Sequence, residues 1–444
     1  MKKLWVLLSL VACWGIIQQT AATTEAQTGL MILTIAALLW MTEAIHLSVT
    51  ALLIPVLAVL LQVLSVKEAL ANFAHPIIFL FLGGFALASA LHKQGLDKYI
   101  ALQVLKIARG QTGIACILLF ATTALLSMWI SNTATTAMML PIALGMLGGI
   151  SYESRPRIFW FLLLGISYSA SIGGIATLVG SPPNAIAASA LKYSFSDWLA
   201  VGLPITIVLL PVLWLVLYLV FQPQLKGLSP PEQDLDFVWN TPRLLVLAIF
   251  ALTATLWIGG EPIGKALGIQ KDFDTVVALF AILLLHLSGC VGWKDIEKTT
   301  DWGVLLLFGG GLTLSAILKT SGANAWLATQ LIQWVDGVGL VALLFTLVLF
   351  VIFLTEVSSN TALTALLVPT FISMAGLLGI SQELVAITIA LAASCAFMLP
   401  VATPPNAIVF GSGFIPQKQM MKVGLILNLI SAVLITLLVW LLIA

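Results

Sequence analysis

The sequence predicts an all-α polytopic membrane protein, with about 11 transmembrane helices and two re-entrant helical hairpins that enter the bilayer and return on the same side. Three observations indicate this: the composition, the length of the apolar segments, and polar motifs at the centre of two of them. Of the 444 residues, 61% are hydrophobic and only 8% are charged, with a mean hydropathy of +1.12. Soluble domains carry about 25% charged residues. A chain with so few polar groups requires lipid as its solvent.

Apolar segments of about 20 residues, the length that a bilayer core requires, recur along the whole chain. They are continuous rather than alternating, which favours helices over a closed barrel. Two segments, 112–150 and 338–378, are too long for one helix and carry Ser-Asn-Thr at their middle, which is typical of a hairpin. The predicted spans are approximately 3–18, 29–45, 48–64, 76–92, 157–190, 196–221, 242–260, 273–290, 302–318, 382–415 and 421–443.

The basic residues predict the orientation. With a cytoplasmic N-terminus and both hairpins re-entrant, 14 of the 19 Lys and Arg residues lie in cytoplasmic loops and 5 lie outside, in agreement with the positive-inside rule. Residues 1–25 leave two alternatives open, because Lys2 and Lys3 before an apolar run are typical of a signal peptide and of a first membrane helix. We favour the helix, since the next span follows closely. The net charge of +1 gives no indication of a nucleic-acid partner.

Three motifs of the first half recur in the second half in the same order, at offsets of 226, 228 and 222 residues. In the predicted topology the two copies run in opposite directions through the membrane. Inverted repeats of this kind are the architecture of many secondary transporters, which bind their substrate where broken helices meet near the midplane of the membrane. The pairs are LGGFALASAL at 82–91 with FGGGLTLSAI at 308–317, Ser-Asn-Thr at 131–133 with 359–361, and SPPNAI at 181–186 with TPPNAI at 403–408.

The repeat and the polar linker at 222–241 predict four regions of the chain. They are scaffold helices at 1–75, a first repeat at 76–221 with the hairpin 112–150, a linker with connecting helices at 222–301, and a second repeat at 302–444 with the hairpin 338–378.

The two Ser-Asn-Thr motifs have the chemistry of a site for both a cation and an anion. Where two short helices meet, one leaves unpaired carbonyl groups and the other leaves unpaired N–H groups. The carbonyl end suits a small cation and the N–H end suits a carboxylate. The alternative is a helix cap at an ordinary turn, and the recurrence of the motif in both halves favours the binding site.

The two Pro-Pro-Asn motifs are predicted to break spans five and ten. Adjacent prolines remove N–H donors and clash with the preceding turn, which leaves unpaired carbonyls at Gly180 and Ala402. Asn184 and Asn406 carry amides that can hold the broken segments together. Irregular backbone at membrane depth is tolerated where it faces a cavity or an ion. The alternative is a simple proline kink.

Charge is scarce inside the predicted spans. Glu43 and Glu356 are the carboxylates within apolar segments, and no Lys or Arg lies near a motif. A proton-coupled carrier usually has a buried carboxylate or histidine relay, so this scarcity favours sodium coupling. Glu356, beside Thr355, is the exception, and its alternative interpretation is a carboxylate bonded to serine hydroxyls and backbone. The sequence leaves its role open.

Together these motifs resemble the divalent anion/sodium symporter family over nearly the whole chain. The resemblance rests on SMWISNT at 127–133, TEVSSNT at 355–361, GSPPN at 180–184 and ATPPN at 402–406. It implies symport of sodium with C4-dicarboxylates such as succinate, malate and fumarate across a bacterial-type inner (plasma) membrane. It also implies two or more coupling Na⁺ ions, a homodimer, and an elevator mechanism in which a transport domain moves against a scaffold domain.

The resemblance further implies which residues bind the ions and the cargo. The first sodium site would be formed by Ser127, Ser131, Asn132 and the carbonyl of Gly180. The second would be formed by Thr355, Ser359, Asn360 and the carbonyl of Ala402. The substrate carboxylates would be surrounded by Ser131, Asn132, Thr133, Ser181, Ser359, Asn360, Thr361 and Pro404.

Other functions stay open at this point. A sodium-independent dicarboxylate exchanger and a sodium-coupled citrate or sulfate carrier fit the same scaffold. An intramembrane enzyme is disfavoured, because the sequence has no HExxH, no GxSxG with a partnered His and Asp, and no paired membrane aspartates. A channel is disfavoured, because no continuous polar pore lining is evident.

Overall fold

The computed structural model describes residues 9, 12–20, 22–226, 228, 237–269, 271–335 and 337–443, and this part of the chain is helical with no strand. Much of the predicted span 3–18 and of the linker 222–241 lies outside the described residues. The helices of the first half are α1 Thr24–Thr42, α2 Leu47–Leu60, α3 Val66–Ala71, α4 Pro76–Lys93, α5 Leu96–Lys106, α6 Thr112–Ser127, α7 Asn132–Leu147, α8 Pro156–Gly173, α9 Pro182–Leu191 and α10 Phe195–Phe221. Those of the second half are α11 Thr241–Ile258, α12 Gly260–Ala266, α13 Phe273–Leu287, α14 Trp293–Thr299, α15 Trp302–Ser321, α16 Ala323–Val335, α17 Leu340–Thr355, α18 Asn360–Leu378, α19 Gln382–Ala393, α20 Pro404–Gly411 and α21 Gln417–Ile443.

The all-α membrane architecture is confirmed. Among the described residues, six helical segments are long and apolar enough to cross a membrane: α1, α3 continuing into α4, α10, α11, α15 and α21. Several shorter apolar helices accompany them, including the 14-residue α2 and the 15-residue α13 at the predicted spans 48–64 and 273–290. The number of eleven spans stays a prediction.

Each of the four polar motifs interrupts a helix, as predicted. The segment 112–150 divides into α6 and α7 at Ser-Asn-Thr, and 338–378 divides into α17 and α18 at the second copy. The predicted span 157–190 ends at Gly173 and resumes at Pro182, and 382–415 ends at Ala393 and resumes at Pro404. Re-entry of the hairpins on one side of the membrane stays a prediction.

The internal repeat extends to the packing of the helices. Helices α2 to α10 recur in the same order as α13 to α21. Packing pairs recur with the halves exchanged: α4 contacts α13 as α15 contacts α2, and α9 contacts α18 as α20 contacts α7. The rings of Phe81 and Phe308, on α4 and α15, meet edge to face at 5.1 Å. This exchange pattern is what a two-fold relation between the halves produces.

The broken spans lie at the centre of the molecule. Almost every residue of α8 and all but two of α19 are buried, whereas α10, α11 and α21 each leave a large apolar face exposed. Exposed apolar residues on long helices are the expected surface toward lipid. The buried position of α8 and α19 brings both helix breaks into the protein interior, where irregular backbone must find its own partners.

Several elements differ from the prediction. The short helices α3, α5, α14 and α16 were not expected, because they are shorter than a span and carry polar or charged residues among the apolar ones. Glu43 was expected within an apolar segment, and this was wrong: it follows the last residue of α1, is exposed, and has a left-handed φ of 48°. The short helix α14 is joined to the end of α4 by an ion pair: Lys93 donates to Asp295 of α14 at 2.5 Å, and this hydrogen bond lowers the pKa of the exposed Asp295 carboxyl.

Candidate functional site

At the first helix tip, between α6 and α7, oxygen atoms converge on the side chain of Asn132. The Asn132 amide lies 2.5 Å from the hydroxyl of Ser127. When its amide nitrogen faces inward, Asn132 also donates to the carbonyls of Ala170 at 3.1 Å and Gly180 at 3.2 Å. When its amide oxygen faces inward, that oxygen lies beside three others, the Ser127 hydroxyl and the carbonyls of Ala170 and Gly180. Only the hydroxyl can donate to it, so its contacts with the two carbonyls are repulsive unless a cation is bound.

Two glycines make this approach possible. A Cβ on Gly174 would stand 2.4 Å from the side-chain oxygen of Asn132 and 2.9 Å from the carbonyl oxygen of Gly180. A Cβ on Gly180 would stand 2.5 Å from the carbonyl oxygen of Gly174 and 3.0 Å from that of Ser127. The first tip and the first break are therefore packed too closely for any larger residue at either position.

The first break is held together by side chains that replace the missing helical bonds. The amide of Asn184 donates to the carbonyls of Gly174 at 2.8 Å, Ile175 at 3.2 Å and Thr177 at 2.7 Å. The hydroxyl of Thr177 donates to the carbonyl of Met128 at 2.5 Å, which joins the break to the first tip. The role predicted for Asn184 as a tie across the break is confirmed.

The second tip, between α17 and α18, is built differently. Asn360 accepts from the backbone N–H of Thr361 at 2.8 Å, and the hydroxyl of Thr355 donates to the carbonyl of Ile352 at 2.8 Å. In the described part of the chain, no hydrogen bond links Thr355, Ser359 or Asn360 to Ala402. At the repeat offset of 222 residues, Gly174 and Gly180 of the first half correspond to Ala396 and Ala402. Both equivalent positions of the second half therefore carry a methyl group.

The second break is tied to both halves of the protein. The amide of Asn406 donates to the carbonyls of Ala396 and Leu399, both at 3.1 Å, and accepts from the hydroxyl of Ser167 on α8 at 2.8 Å. The hydroxyl of Tyr168, also on α8, donates to the carbonyl of Phe397 at 2.6 Å. The predicted tie through Asn406 is confirmed, and it extends across the repeat.

Glu356 contributes a carboxyl group to the second tip, where it directly follows the last residue of α17. Its side chain is buried and accepts three N–H bonds, from Met398 and Leu399 in the second break and from Asn428 on α21. The expected backbone bonds are therefore present, and the partner expected to be a serine hydroxyl is the amide of Asn428. Because both oxygens are engaged, the carboxylate is fixed in place.

The residues predicted to surround the substrate begin four helices. Ser131 and Ser359 accept from the N–H groups of Ala134 and Ala362, at 3.3 and 3.4 Å, and so cap α7 and α18. Ser181 and Thr403 stand before the prolines that open α9 and α20. The helix α9 of the first half packs on α18 of the second, and α20 of the second half packs on α7 of the first, so each half contributes a helix that contacts the hairpin of the other.

These helix starts attract anions in the absence of basic side chains. The N-terminus of a helix carries about half a positive charge and is stabilised by a nearby anion by about 0.3–1 kcal/mol, or about 2 kcal/mol when partly buried. Ser131, Thr133 and Pro404 are exposed, and Asn132, Ser359 and Asn360 are half-buried, so a ligand can reach them. Thr361 is buried, and the hydroxyl of Ser181 is buried without a hydrogen-bond partner.

A metal site of the usual ionisable ligands is absent from the described residues, which contain no group of three or more His, Cys, Asp or Glu side chains able to hold a metal ion. A cation bound near the tips would therefore be held by neutral oxygens. Ala170, Gly174 and Thr177 belong to this oxygen-rich region and were missed by the sequence prediction. The six-residue spacing of Gly174 and Gly180 just before Pro-Pro-Asn was the available signal.

Broken helices in two inverted repeats, with polar backbone at their ends, are typical of secondary membrane transporters. A family model for the sodium:sulfate symporter transmembrane region matches residues 1–444, and the chain belongs to this family. The family resemblance drawn from the motifs is thereby confirmed, and the family is one of transporters, not enzymes.

Similar proteins include transporters with and without a substrate in their names. An uncharacterized transporter of Haemophilus influenzae is 52% identical over 418 residues, 93% of this chain and 90% of the other. An uncharacterized transporter of Methanocaldococcus jannaschii is 45% identical over 92% of each chain. The sodium-dependent dicarboxylate transporter SdcS of Staphylococcus saprophyticus is 36% identical over 91% of this chain and 83% of the other. The crystal structure of the Alcanivorax borkumensis YdaH transporter has a similar fold, with a TM-score of 0.61 at 16% identity, covering 94% and 97% of the two chains.

Proposed function

We propose that this protein is a secondary active transporter that couples inward movement of two or more sodium ions to the uptake of C4-dicarboxylates such as succinate, malate and fumarate. The observation that carries the proposal is the oxygen cluster of Ser127, Asn132, Ala170 and Gly180, which offers neutral ligands to a cation at the first tip. The name of the SdcS relative, a sodium-dependent dicarboxylate transporter at 36% identity, supports the same cargo and ion.

The bound cations would supply the positive charge that the protein lacks. In this proposal Ser131 completes the first site, while Thr355, Ser359, Asn360 and the carbonyl of Ala402 form a second site at the other tip. Two unit charges about 6 Å apart attract by about 3 kcal/mol at an effective dielectric constant of about 20. Each cation would then strengthen anion binding by about a hundredfold. As a result, the empty protein and the fully loaded protein would be favoured over partly loaded states.

The dicarboxylate would lie between the two tips. Its two carboxylates would be surrounded by Ser131, Asn132, Thr133, Ser181, Ser359, Asn360, Thr361 and Pro404. The hydroxyl of Ser181 is buried and has no hydrogen-bond partner, so a carboxylate that entered this region would accept its hydrogen bond. A four-carbon diacid has one charged group for each tip, whereas a monocarboxylate would leave one tip unpaired.

The remaining features of the proposal follow the family resemblance. The protein would act as a homodimer in the inner (plasma) membrane with a cytoplasmic N-terminus. Its motif-bearing helices would move as a transport domain against a scaffold, in an elevator mechanism. The buried hydrogen bonds of α8 to the second break, from Ser167 and Tyr168, favour movement of both breaks as one body.

Uptake of radiolabelled succinate into proteoliposomes tests the proposal. We expect uptake with an inward sodium gradient and little uptake when sodium is replaced by choline. Equal uptake in both conditions would refute sodium coupling. Uptake that needs only internal dicarboxylate would identify the rival function, a sodium-independent exchanger. Competition by unlabelled succinate, citrate, sulfate and glutamate would rank the anions, and stronger competition by citrate or sulfate would replace the proposed cargo.

A further inference from the structure

The buried carboxylate of Glu356 has no part in the scheme described so far. Its side chain is 3% exposed, and it follows Thr355 and precedes Ser359, two residues of the proposed second sodium site. A buried charge is retained in a protein only where hydrogen bonds or an opposite charge compensate its desolvation. In the described part of the chain, no Lys or Arg is paired with Glu356. Its hydrogen bonds must therefore compensate the desolvation of the carboxylate.

The hydrogen bonds of Glu356 join three separate elements. Oxygen Oε1 accepts from the backbone N–H of Met398 at 2.9 Å and from Nδ2 of Asn428 at 2.7 Å, and Oε2 accepts from the N–H of Leu399 at 2.9 Å. Asn428 also accepts from the N–H of Phe397 at 3.3 Å. The second tip is thereby attached to the second break and to helix α21.

The first half makes the equivalent connection without a charged side chain. Position 128, which corresponds to Glu356 at the repeat offset of 228, is a methionine. There the tip contributes its backbone carbonyl, which accepts from the hydroxyl of Thr177 in the first break at 2.5 Å. The tip is an acceptor in both halves, but only the second half uses an ionised side chain, whose hydrogen bonds are about twice as strong as neutral ones.

We propose that Glu356 is the positioning residue of the second sodium site: its carboxylate holds the second tip against the break so that Thr355, Ser359 and Asn360 face the carbonyl of Ala402. This inference rests on the proposed sodium coupling. The carboxylate acts through the tip and does not bind the ion, because Met398, Leu399 and Asn428 already occupy its oxygens. For the same reason it does not carry a proton through the transport cycle.

The variant Glu356→Gln removes the charge at nearly constant volume. Its amide nitrogen opposes at least one of three N–H donors, so one bond is replaced by a contact between two donors. We expect the sodium concentration for half-maximal uptake to rise by at least about tenfold, equivalent to about 1.4 kcal/mol. The KM for succinate at saturating sodium should change by less than about threefold, and the pH profile of uptake should keep its wild-type shape.

A second variant, Asn428→Ala, tests the same connection without altering the tip. It removes one donor to Glu356 from α21, so a positioning role predicts a shift in sodium dependence of the same direction and smaller size. A direct role of the carboxylate as an ion ligand predicts a strong effect of Glu356→Gln and none of Asn428→Ala. Thr436→Val serves as the control, because Thr436 is also buried on α21 and bonds to its own helix through Ala432.

The measurement is a sodium titration of succinate uptake into proteoliposomes, with size-exclusion chromatography to verify folding. Raised sodium requirement in both variants, with normal behaviour of Thr436→Val, supports the positioning role. Wild-type sodium dependence in Glu356→Gln overturns it, as does loss of the pH dependence of uptake, which would make the carboxylate a proton carrier. If Glu356→Gln does not fold, wild-type sodium dependence of uptake in Asn428→Ala is by itself sufficient to overturn the positioning role. A wild-type protein indifferent to sodium would instead refute the proposed function.

Discussion

Replacing Gly174 by alanine tests whether the first oxygen cluster binds sodium. Gly174 has φ of −59° and ψ of −19°, a conformation that alanine adopts without strain. The only change is therefore a methyl group, which would stand 2.4 Å from the side-chain oxygen of Asn132 and 2.9 Å from the carbonyl oxygen of Gly180. Since real Cβ contacts are longer than 3.0 Å, Asn132 must leave its place or the first break must shift.

The size of the effect follows from these contacts. Displacing Asn132 withdraws its side-chain oxygen from the proposed cation site, a loss comparable with that of a hydrogen bond to a charged group, about 1.5–3 kcal/mol. Overpacking of a dense interior costs about 1–3 kcal/mol in addition. Relaxation of the chain recovers part of this sum, and a remaining loss of about 1.4 kcal/mol corresponds to tenfold weaker binding. We therefore expect the half-saturating sodium concentration to rise by at least about tenfold.

The assay is a sodium titration of succinate uptake into proteoliposomes containing equal amounts of folded protein. Gly411→Ala is a matched control, because Gly411 closes the short helix α20 and a Cβ there would meet nothing within 4 Å. It should retain a half-saturating sodium concentration within about twofold of the wild-type value. A well-folded Gly174→Ala variant with wild-type sodium dependence would refute the assignment of the first cation site.

Three further predictions are tested by the same uptake assay or by thermal melting. Asn132→Ala and Asn360→Ala should each impair sodium-dependent uptake while expression is retained; wild-type transport by both would overturn the two-tip assignment. Ser181→Ala should leave the melting temperature unchanged within about 2 °C, because the hydroxyl has no partner to lose, and should raise the KM for succinate severalfold; an unchanged KM would remove Ser181 from the substrate site. Asn406→Ala should lower thermal stability, since it breaks bonds to two backbone carbonyls and to Ser167 at about 1–3 kcal/mol for each buried group left unpaired; a wild-type melting curve would contradict the structural role of the break.

The four helix interruptions were predictable because their signals are local. Adjacent prolines stop a helix wherever they occur, and Ser-Asn-Thr in the middle of a segment of about 40 apolar residues has few other interpretations. The recurrence of both motifs turned two weak signals into a strong one. For the same reason the ties through Asn184 and Asn406 were expected before the structure was known.

Other features depend on tertiary contacts that local patterns indicate only weakly or not at all. Gly174 approaches Asn132 only because α8 and the first break fold over the tip, and its counterpart in the second half is Ala396, so the repeat does not mark it. The donors to Glu356 come from residues 42 to 72 positions later in the chain. Glu43 was misplaced because apolar residues on both sides concealed the end of α1.

Binding of radiolabelled succinate to the purified protein, in sodium chloride and in choline chloride of equal ionic strength, tests most directly the claim that neutral loops hold an anion only beside bound cations. Sodium should strengthen succinate binding by at least about a hundredfold, and succinate should strengthen the combined binding of the sodium ions by the same factor, as linkage requires. Equal succinate affinity in the two salts would contradict the account.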